Sequence, residues 1–341
     1  NPKKTMLPAP RTLSRWAHRA LACLLALSAL PVLGQVSATV EDDPTLPQLV
    51  LNGHRLHVEA FGAPDAPVVV VLHGGPGADY RYLLGLSALA NQYRVVFYDQ
   101  LGSGLSQRVP ASQITVDSFV ADLHAVIQHF SPQRPVHLVG HSWGAMLASR
   151  YAGDHPDKVD RMVLAEPGFL DADTLEGLPR GGWPGWRVVL GFAKAWLGKW
   201  WIATGSDPYA RDDWFLLQIL PLTQAPNELC NGQLPPLQAW RFGSPVFEAT
   251  AGRMMNDPEW GKTLNFAQGL ARYSGRVLFL RGACNQAQGE SVQRRMMAKF
   301  SPESGVQLLT LPGAGHFMFN DQPAASVDAV RNFLTAPAAE R

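Results

Sequence analysis

Four consecutive valines, Val68 to Val71, closed by Leu72, are the stretch that most limits what this chain can fold into. A strand that is apolar at every position has no face to give to water, so it belongs inside a sheet covered on both sides. It runs into the glycine-rich turn His73-Gly74-Gly75-Pro76-Gly77. Further apolar runs at residues 94–98, 135–139, 161–165, 276–281 and 306–311 alternate with helix-like segments. These segments end near Tyr93, cover 116–130 and 145–152, and resume after His316. Strands alternating with helices of this length predict an α/β fold: a mostly parallel central sheet with helices on both faces. Ahead of it, residues 48–61 alternate apolar and polar around Asn52-Gly53, which predicts an opening β-hairpin.

In such sheets chemistry gathers at the carboxyl ends of the strands. His73, Asp99, Ser142, Glu166 and the loop after Leu311 all fall at that edge. Ser142 stands in Gly140-His141-Ser142-Trp143-Gly144, between an apolar run and a helix-like segment. A strand, sharp turn and helix in this order push the serine out at the tip, and the flanking glycines are needed because a β-carbon there would strike the neighbouring backbone. Ser142 is therefore the candidate nucleophile.

A serine hydroxyl needs a base within hydrogen-bond reach. Of ten histidines, His316 has the best context: it follows the last predicted strand in the small-residue loop Gly313-Ala314-Gly315. His141 is adjacent to the nucleophile, where side chains on a tight turn point apart. Charge developing on a substrate oxygen needs preorganised N–H donors, for which the amides of Trp143 and Gly75 are the candidates. The acid that orients the base is harder to place. The loop after residues 276–281 carries Asn285 where an aspartate is expected, and an amide holds no charge. Glu166, ending an otherwise apolar strand, is the first choice, with Glu290 as the fallback and a purely structural carboxylate as the alternative.

The chain of 341 residues, 46% hydrophobic, allows one large domain with an insertion. Its net charge of +1, with no basic stripe, predicts no nucleic-acid partner. Residues 1–38 read as an export signal: Lys3, Lys4, Arg11, Arg15 and Arg19 precede an apolar run over 20–33 and the small-residue site Val36-Ser37-Ala38. The expectation is an exported, periplasmic or secreted protein; an uncleaved membrane anchor is the alternative. Cys230 and Cys284 follow this segment, and in an oxidising compartment they form either one disulfide or two separate buried thiols. Residues 39–166 and 275–341 are expected to build the core. Residues 167–274, rich in Pro and Gly and holding eight of the ten tryptophans, break the alternation and are expected to form a helical cap over the catalytic edge. Its aromatics would either face the cavity or pack a small core of their own.

Together, His73-Gly74-Gly75-Pro76-Gly77, Asp99-Gln100 with Gly102-Ser103-Gly104 and Ser106, Gly140-His141-Ser142-Trp143-Gly144, and Gly315-His316 resemble the α/β-hydrolase superfamily, and within it the proline iminopeptidase-like group. The resemblance covers residues 48–167 and 276–334. It implies a serine hydrolase without cofactor or metal, with Ser142 as nucleophile, His316 as base, and Trp143 and Gly75 as oxyanion donors. Proline iminopeptidases carry an aspartate where this chain has Asn285. Other superfamily members, haloalkane dehalogenases among them, place the acid after the preceding strand, twenty-four residues beyond the nucleophile, where Glu166 stands. The group binds the substrate's free amine with cap carboxylates, and Asp207, Asp212, Asp213, Glu228 and Glu248 do not align with them. The expected activity is hydrolysis of a small ester or amide through an acyl-enzyme, as an aminopeptidase or as a carboxylesterase or lipase. A non-catalytic binding module that has lost its acid is the reading from a different class. Membrane contact is expected only through the N-terminal segment.

Overall fold

The structure is a computed structural model that describes residues 34–176, 185–236 and 238–337. The basic and apolar parts of the expected export signal, with Cys23, and Trp183 lie outside the described residues. Among the described residues there are ten strands: β1 (Gly34–Gln35), β2 (Gln48–Leu51), β3 (His54–Phe61), β4 (Val68–Leu72), β5 (Arg94–Tyr98), β6 (Val136–His141), β7 (Val159–Ala165), β8 (Ile202–Ala203), β9 (Arg276–Gly282) and β10 (Val306–Leu311). Six helices matter here: α1 (Val116–Phe130), α2 (Trp143–Asp154), α3 (Trp186–Gly198), α4 (Ala210–Thr223), α5 (Glu290–Met297) and α6 (Pro323–Thr335).

Eight strands form one sheet in the order β10-β9-β7-β6-β4-β5-β3-β2, parallel except where β3 pairs with β2 and β5. The valine strand lies near its middle, between β5 and β6. Val68, Val70 and Leu72 pack on one face with α1, α2 and α5, while Val69 and Val71 pack on the other with α6. The unbroken valine run thus serves two cores through the two-residue period of a strand. The hairpin forms as expected, with Asn52 and Gly53 both at positive φ, as a two-residue turn between twisted strands requires. The helix-like segment before Tyr93 is a 3₁₀ helix, Arg81–Leu89, which buries Leu83, Leu86 and Leu89 at a spacing of three.

Between β7 and β9 the chain leaves the sheet and forms α3, β8, α4 and a series of short helical turns. A buried ion network pins this segment to the core. Asp213 of α4 receives Arg108 Nε at 3.0 Å and Arg241 Nε at 2.7 Å, and Arg241 also pairs with Asp207. Arg108 donates to the carbonyls of Ser103, Gly104 and Ser106, so the glycine turn after β5 is tied into the same network. Among the tryptophans, Trp240 packs edge-on against His57 and Tyr80, whereas Trp196, Trp200 and Trp201 turn outward, 40–54% exposed.

Cys230 and Cys284 form a disulfide, which settles the open alternative in favour of one bridge. It joins the inserted segment to the loop after β9, closing a separation of 54 residues. Loop closure of this length stabilises by about 4 kcal/mol in the chain-entropy model. Peptide mapping of the non-reduced protein is expected to recover the linked pair. The double variant Cys230→Ser/Cys284→Ser should lose about 4 kcal/mol or less in urea unfolding; two free thiols in the wild type would contradict the assignment.

Candidate active site

Ser142 sits between β6 and α2 with φ 53°, a conformation that a residue with a β-carbon adopts only when its surroundings hold it there. Its amide donates to Ala165 O at 2.9 Å, and its carbonyl receives the amides of Ala145 and Met146. A β-carbon on Gly140 would lie 2.4 Å from Gly144 O, and one on Gly144 would lie 2.1 Å from Leu72 O. Both flanking glycines are therefore obligatory, for the steric reason the sequence suggested.

His316 reaches this turn from the loop after β10, with Nε2 3.2 Å from Ser142 Oγ. Its backbone is fixed on several sides. His316 N donates to Glu228 O at 2.8 Å, His141 Nε2 donates to His316 O at 2.8 Å, and Gly315 N donates to Asp321 at 2.8 Å. Because His141 Nε2 carries a proton, its Nδ1 accepts from Tyr82 Oη at 2.7 Å, and Tyr82 Oη in turn accepts from Gly74 N at 2.8 Å. One relay thus joins the glycine turn after β4, the residue before Ser142, and the histidine loop. Sequence reasoning set His141 aside as pointing away from Ser142. Its adjacency to Ser142 gives no hint that its ring would anchor a loop 175 residues downstream.

The glycine turn and the turn at Ser142 are also joined by Gln100. Its side chain donates to His73 O at 3.0 Å and accepts from the Trp143 indole at 2.9 Å, while its amide donates to His73 Nε2. Gln100 therefore sets the spacing between Gly75 and Trp143. Asp99 shapes the surrounding turn by accepting from His57 Nδ1, Tyr80 N and Leu105 N. Gly75 has φ 128°, and a β-carbon there would lie 2.6 Å from the amides of Gly77 and Ala78. A β-carbon on the preceding Gly74 would stand 3.0 Å from Ser142 Cβ, so the turn lies directly against the serine.

Glu166 follows β7 at φ 47° and is fully buried. Its Oε1 accepts from Gly282 N and its Oε2 from Asn285 Nδ2, both at 2.6 Å. Asn285 Oδ1 accepts from Gln288 N, so its amide is oriented with the donor toward the carboxylate. No hydrogen bond joins Glu166 to His316, whose buried Nδ1 has no partner among the described residues. Gly282, whose amide Glu166 accepts, lies against the histidine loop, since a β-carbon there would stand 2.5 Å from Ala314 O and Gly315 O. Glu290 opens α5 at the surface and pairs with Arg294. Burial pushes Glu166 up to about 8, against the two donors, and pushes His316 down to about 3 with help from nearby His141.

Two cavities meet at Ser142 and His316. The smaller, about 100 Å³, is lined by Gly75, Asp79, Tyr82, Leu220 and Phe317. The larger, about 320 Å³, is lined by Met146, Phe169, Met254, Leu264, Glu228 and Gln288. No tryptophan of the inserted segment lines either cavity among the described residues. Of the five carboxylates that the sequence left unaligned, Asp213 and Asp207 are in the arginine network, Asp212 pairs with Lys199, and Glu248 is exposed. Glu228 alone of the five lines the cavity. Asp79, which sequence reasoning missed, is buried at the smaller cavity; it accepts the amides of Arg81, Trp240 and Arg241, and burial raises it to about 7. Among the described residues no group of three or more His, Cys, Asp or Glu side chains is placed to hold a metal ion.

His141 is held neutral by burial, at about 4 rather than 6.5. A depressed histidine means that the unfolded chain binds the extra proton first, so this group's contribution to stability is lost as pH falls from 6.5 to 4. The stability difference between the wild type and His141→Gln, measured by urea unfolding, should therefore shrink by about 3 kcal/mol between pH 7 and pH 4. A difference independent of pH would mean that His141 is not buried in its neutral form.

Comparison with known proteins places these elements. Residues 67–323 match the alpha/beta hydrolase fold family. A cis-3-alkyl-4-alkyloxetan-2-one decarboxylase of Xanthomonas campestris pv. campestris is 25% identical over 287 residues, covering 80% of this chain and 90% of that relative. A proline iminopeptidase of Heyndrickxia coagulans is 42% identical over 123 residues, 34% of this chain and 41% of the relative's length, which bears out the resemblance to that group. The solved structure of an esterase from Exiguobacterium antarcticum superposes with a TM-score of 0.58 at 18% identity, over 86% of this chain and all of that one, and shares the fold. Since the family match runs from the valine strand through the turn at Ser142 to the histidine loop, the chain belongs to the alpha/beta hydrolase fold family and is a hydrolase of that family.

Proposed function

We propose that the protein is a serine hydrolase that cleaves a small ester or amide through an acyl-enzyme at Ser142. The observation that carries this is the 3.2 Å approach of His316 Nε2 to Ser142 Oγ on a strained turn. His316 takes the hydroxyl proton as Oγ attacks the carbonyl carbon. The amides of Trp143 and Gly75, whose spacing Gln100 sets, receive the oxyanion. The tetrahedral intermediate collapses as His316 returns the proton to the leaving amine or alcohol, and a water deprotonated by His316 then releases the acid. Glu166 serves as the acid that stabilises His316 when it is charged. Asn285, at the position an aspartate usually takes, donates to that carboxylate.

Within this reaction, aminopeptidase action on a small N-terminal residue such as proline is the preferred reading. Glu228 supports it, because it puts a carboxylate into the otherwise largely apolar cavity beside the nucleophile, where an ammonium group would be neutralised. The segment between β7 and β9 acts as the cap that supplies this carboxylate. Carboxylesterase action is the second reading, favoured by Met146, Phe169, Met254 and Leu264, which suit a plain acyl chain.

Labelling by a fluorophosphonate probe should vanish in Ser142→Ala, with turnover down by roughly 10⁴-fold or more. In Glu228→Gln, kcat/KM for a proline anilide should fall about 10- to 100-fold while that for a short acyl ester changes less than about threefold, in line with one lost charged contact. Ester turnover without any anilide turnover in the wild type would favour the esterase. A folded wild type that neither labels nor turns over either substrate would overturn the catalytic reading.

A further inference from the structure

Helix α3 is apolar on its outer side as well as its inner one. A surface helix ordinarily hides its apolar stripe and shows a polar one. Here Val189, Leu190, Trp196 and Leu197 are 52–61% exposed. Trp200 and Trp201, in the turn that follows, are 54% and 40% exposed and extend the same apolar surface. The opposite side of α3 buries Ala195 against Leu216 and Ile219 of α4. Positions 189, 190, 193, 197 and 200 recur at helical spacing, so the exposed residues form one stripe.

Cations border this stripe. Lys194 is exposed on α3, the Arg211 guanidinium lies 5.4 Å from the Trp200 ring, and Lys199, which pairs with Asp212, stands 5.5 Å from the same ring. Tryptophan and leucine on one side with lysine and arginine at the edge is the composition of a helix lying in a membrane interface. A second observation fixes the partner. Immediately after Trp201, Ile202–Ala203 pairs with Gly34–Gln35, and Gly34 directly follows the apolar run over residues 20–33 and its five preceding basic residues. The point at which the chain's most lipid-like sequence joins the fold is therefore one residue from the exposed tryptophans. Among the described residues no helix is long and apolar enough to cross a membrane, so the stripe can lie on a bilayer but not span it.

We infer that the outer face of α3, with Trp200 and Trp201, is a docking surface that seats on a phospholipid bilayer. The basic rim gives it a preference for anionic headgroups.

The test uses the full chain with vesicles of phosphatidylcholine, alone or with 30% phosphatidylserine, in flotation and in tryptophan quenching by brominated acyl chains. The wild type is expected to float, more strongly with phosphatidylserine, and to lose at least about a third of its tryptophan emission to the brominated lipid. Leu190→Glu/Leu197→Glu should cut that quenching at least about threefold, even where residues 20–33 still carry the protein to the vesicle, and leave ester or anilide turnover in solution unchanged. Quenching equal in wild type and variant, or absent from both, overturns the inference. A dimer in sedimentation velocity that the substitutions dissociate would assign the stripe to a second copy. Tryptophans shielded from iodide without lipid, and released by the substitutions without a change of mass, would assign it to residues 20–33 of the same chain; either result also overturns the inference.

Discussion

The close approach of the α2 N-terminus to the end of β4 governs the rest of the structure. The Gly144 position leaves 2.1 Å between a hypothetical β-carbon and Leu72 O, less than any real side chain tolerates. This approach aims the Ser142 hydroxyl out of the sheet edge and brings the turn after β4 against Ser142. The positive φ of Ser142 is an unfavourable conformation by itself, on the order of 1 to 3 kcal/mol, and survives because the two cores around the valine strand over-determine it. Removal of either glycine would act on the sheet and the site together.

Around that point the protein uses polar groups as rulers. Gln100 spans the two turns that present Gly75 and Trp143, and the Gly74–Tyr82–His141–His316 relay spans the same turns and the histidine loop. Farther out, Asp213 between Arg108 and Arg241 holds the inserted segment to the glycine turn after β5. A buried carboxylate flanked by two guanidiniums adds little to stability beyond what apolar packing of the same volume gives, yet loss of one partner strands a charge at a cost of about 3 to 5 kcal/mol. The network therefore fixes where α4 sits, while Glu228 is held by its own bond to His316 N and by the Cys230–Cys284 bridge two residues on.

Much of the fold was legible in the sequence because its determinants are local. The valine run, the Asn52-Gly53 turn and the two glycines beside Ser142 each dictate their conformation from a few residues. What was illegible depends on residues far apart. Nothing near Tyr82 or His141 announces that they join Gly74 to His316, and Glu228 is distinguished from Asp213 only by where the insertion folds. The tryptophans were read as cavity-lining or as core of the insertion; several face solvent, because composition does not say which side of a helix points outward. Asn285 looked like a lost acid, and the structure gives it Glu166 as its hydrogen-bond partner instead.

The central claim concerns that pair. If Glu166 is the acid behind His316, only its carboxylate form can stabilise the charged imidazole, and burial has raised its pKa to about 8. His316, driven down to about 3, is already neutral across that range and imposes no competing transition. The rate of Ser142 acylation, followed from pH 5 to 10, should therefore climb through a transition near pH 8, within about a unit, and that transition should be absent from Glu166→Gln, which retains a low and flat rate. A single transition near 6.5, identical in the wild type and in Glu166→Gln, would contradict the account and leave His316 without Glu166 as its acid.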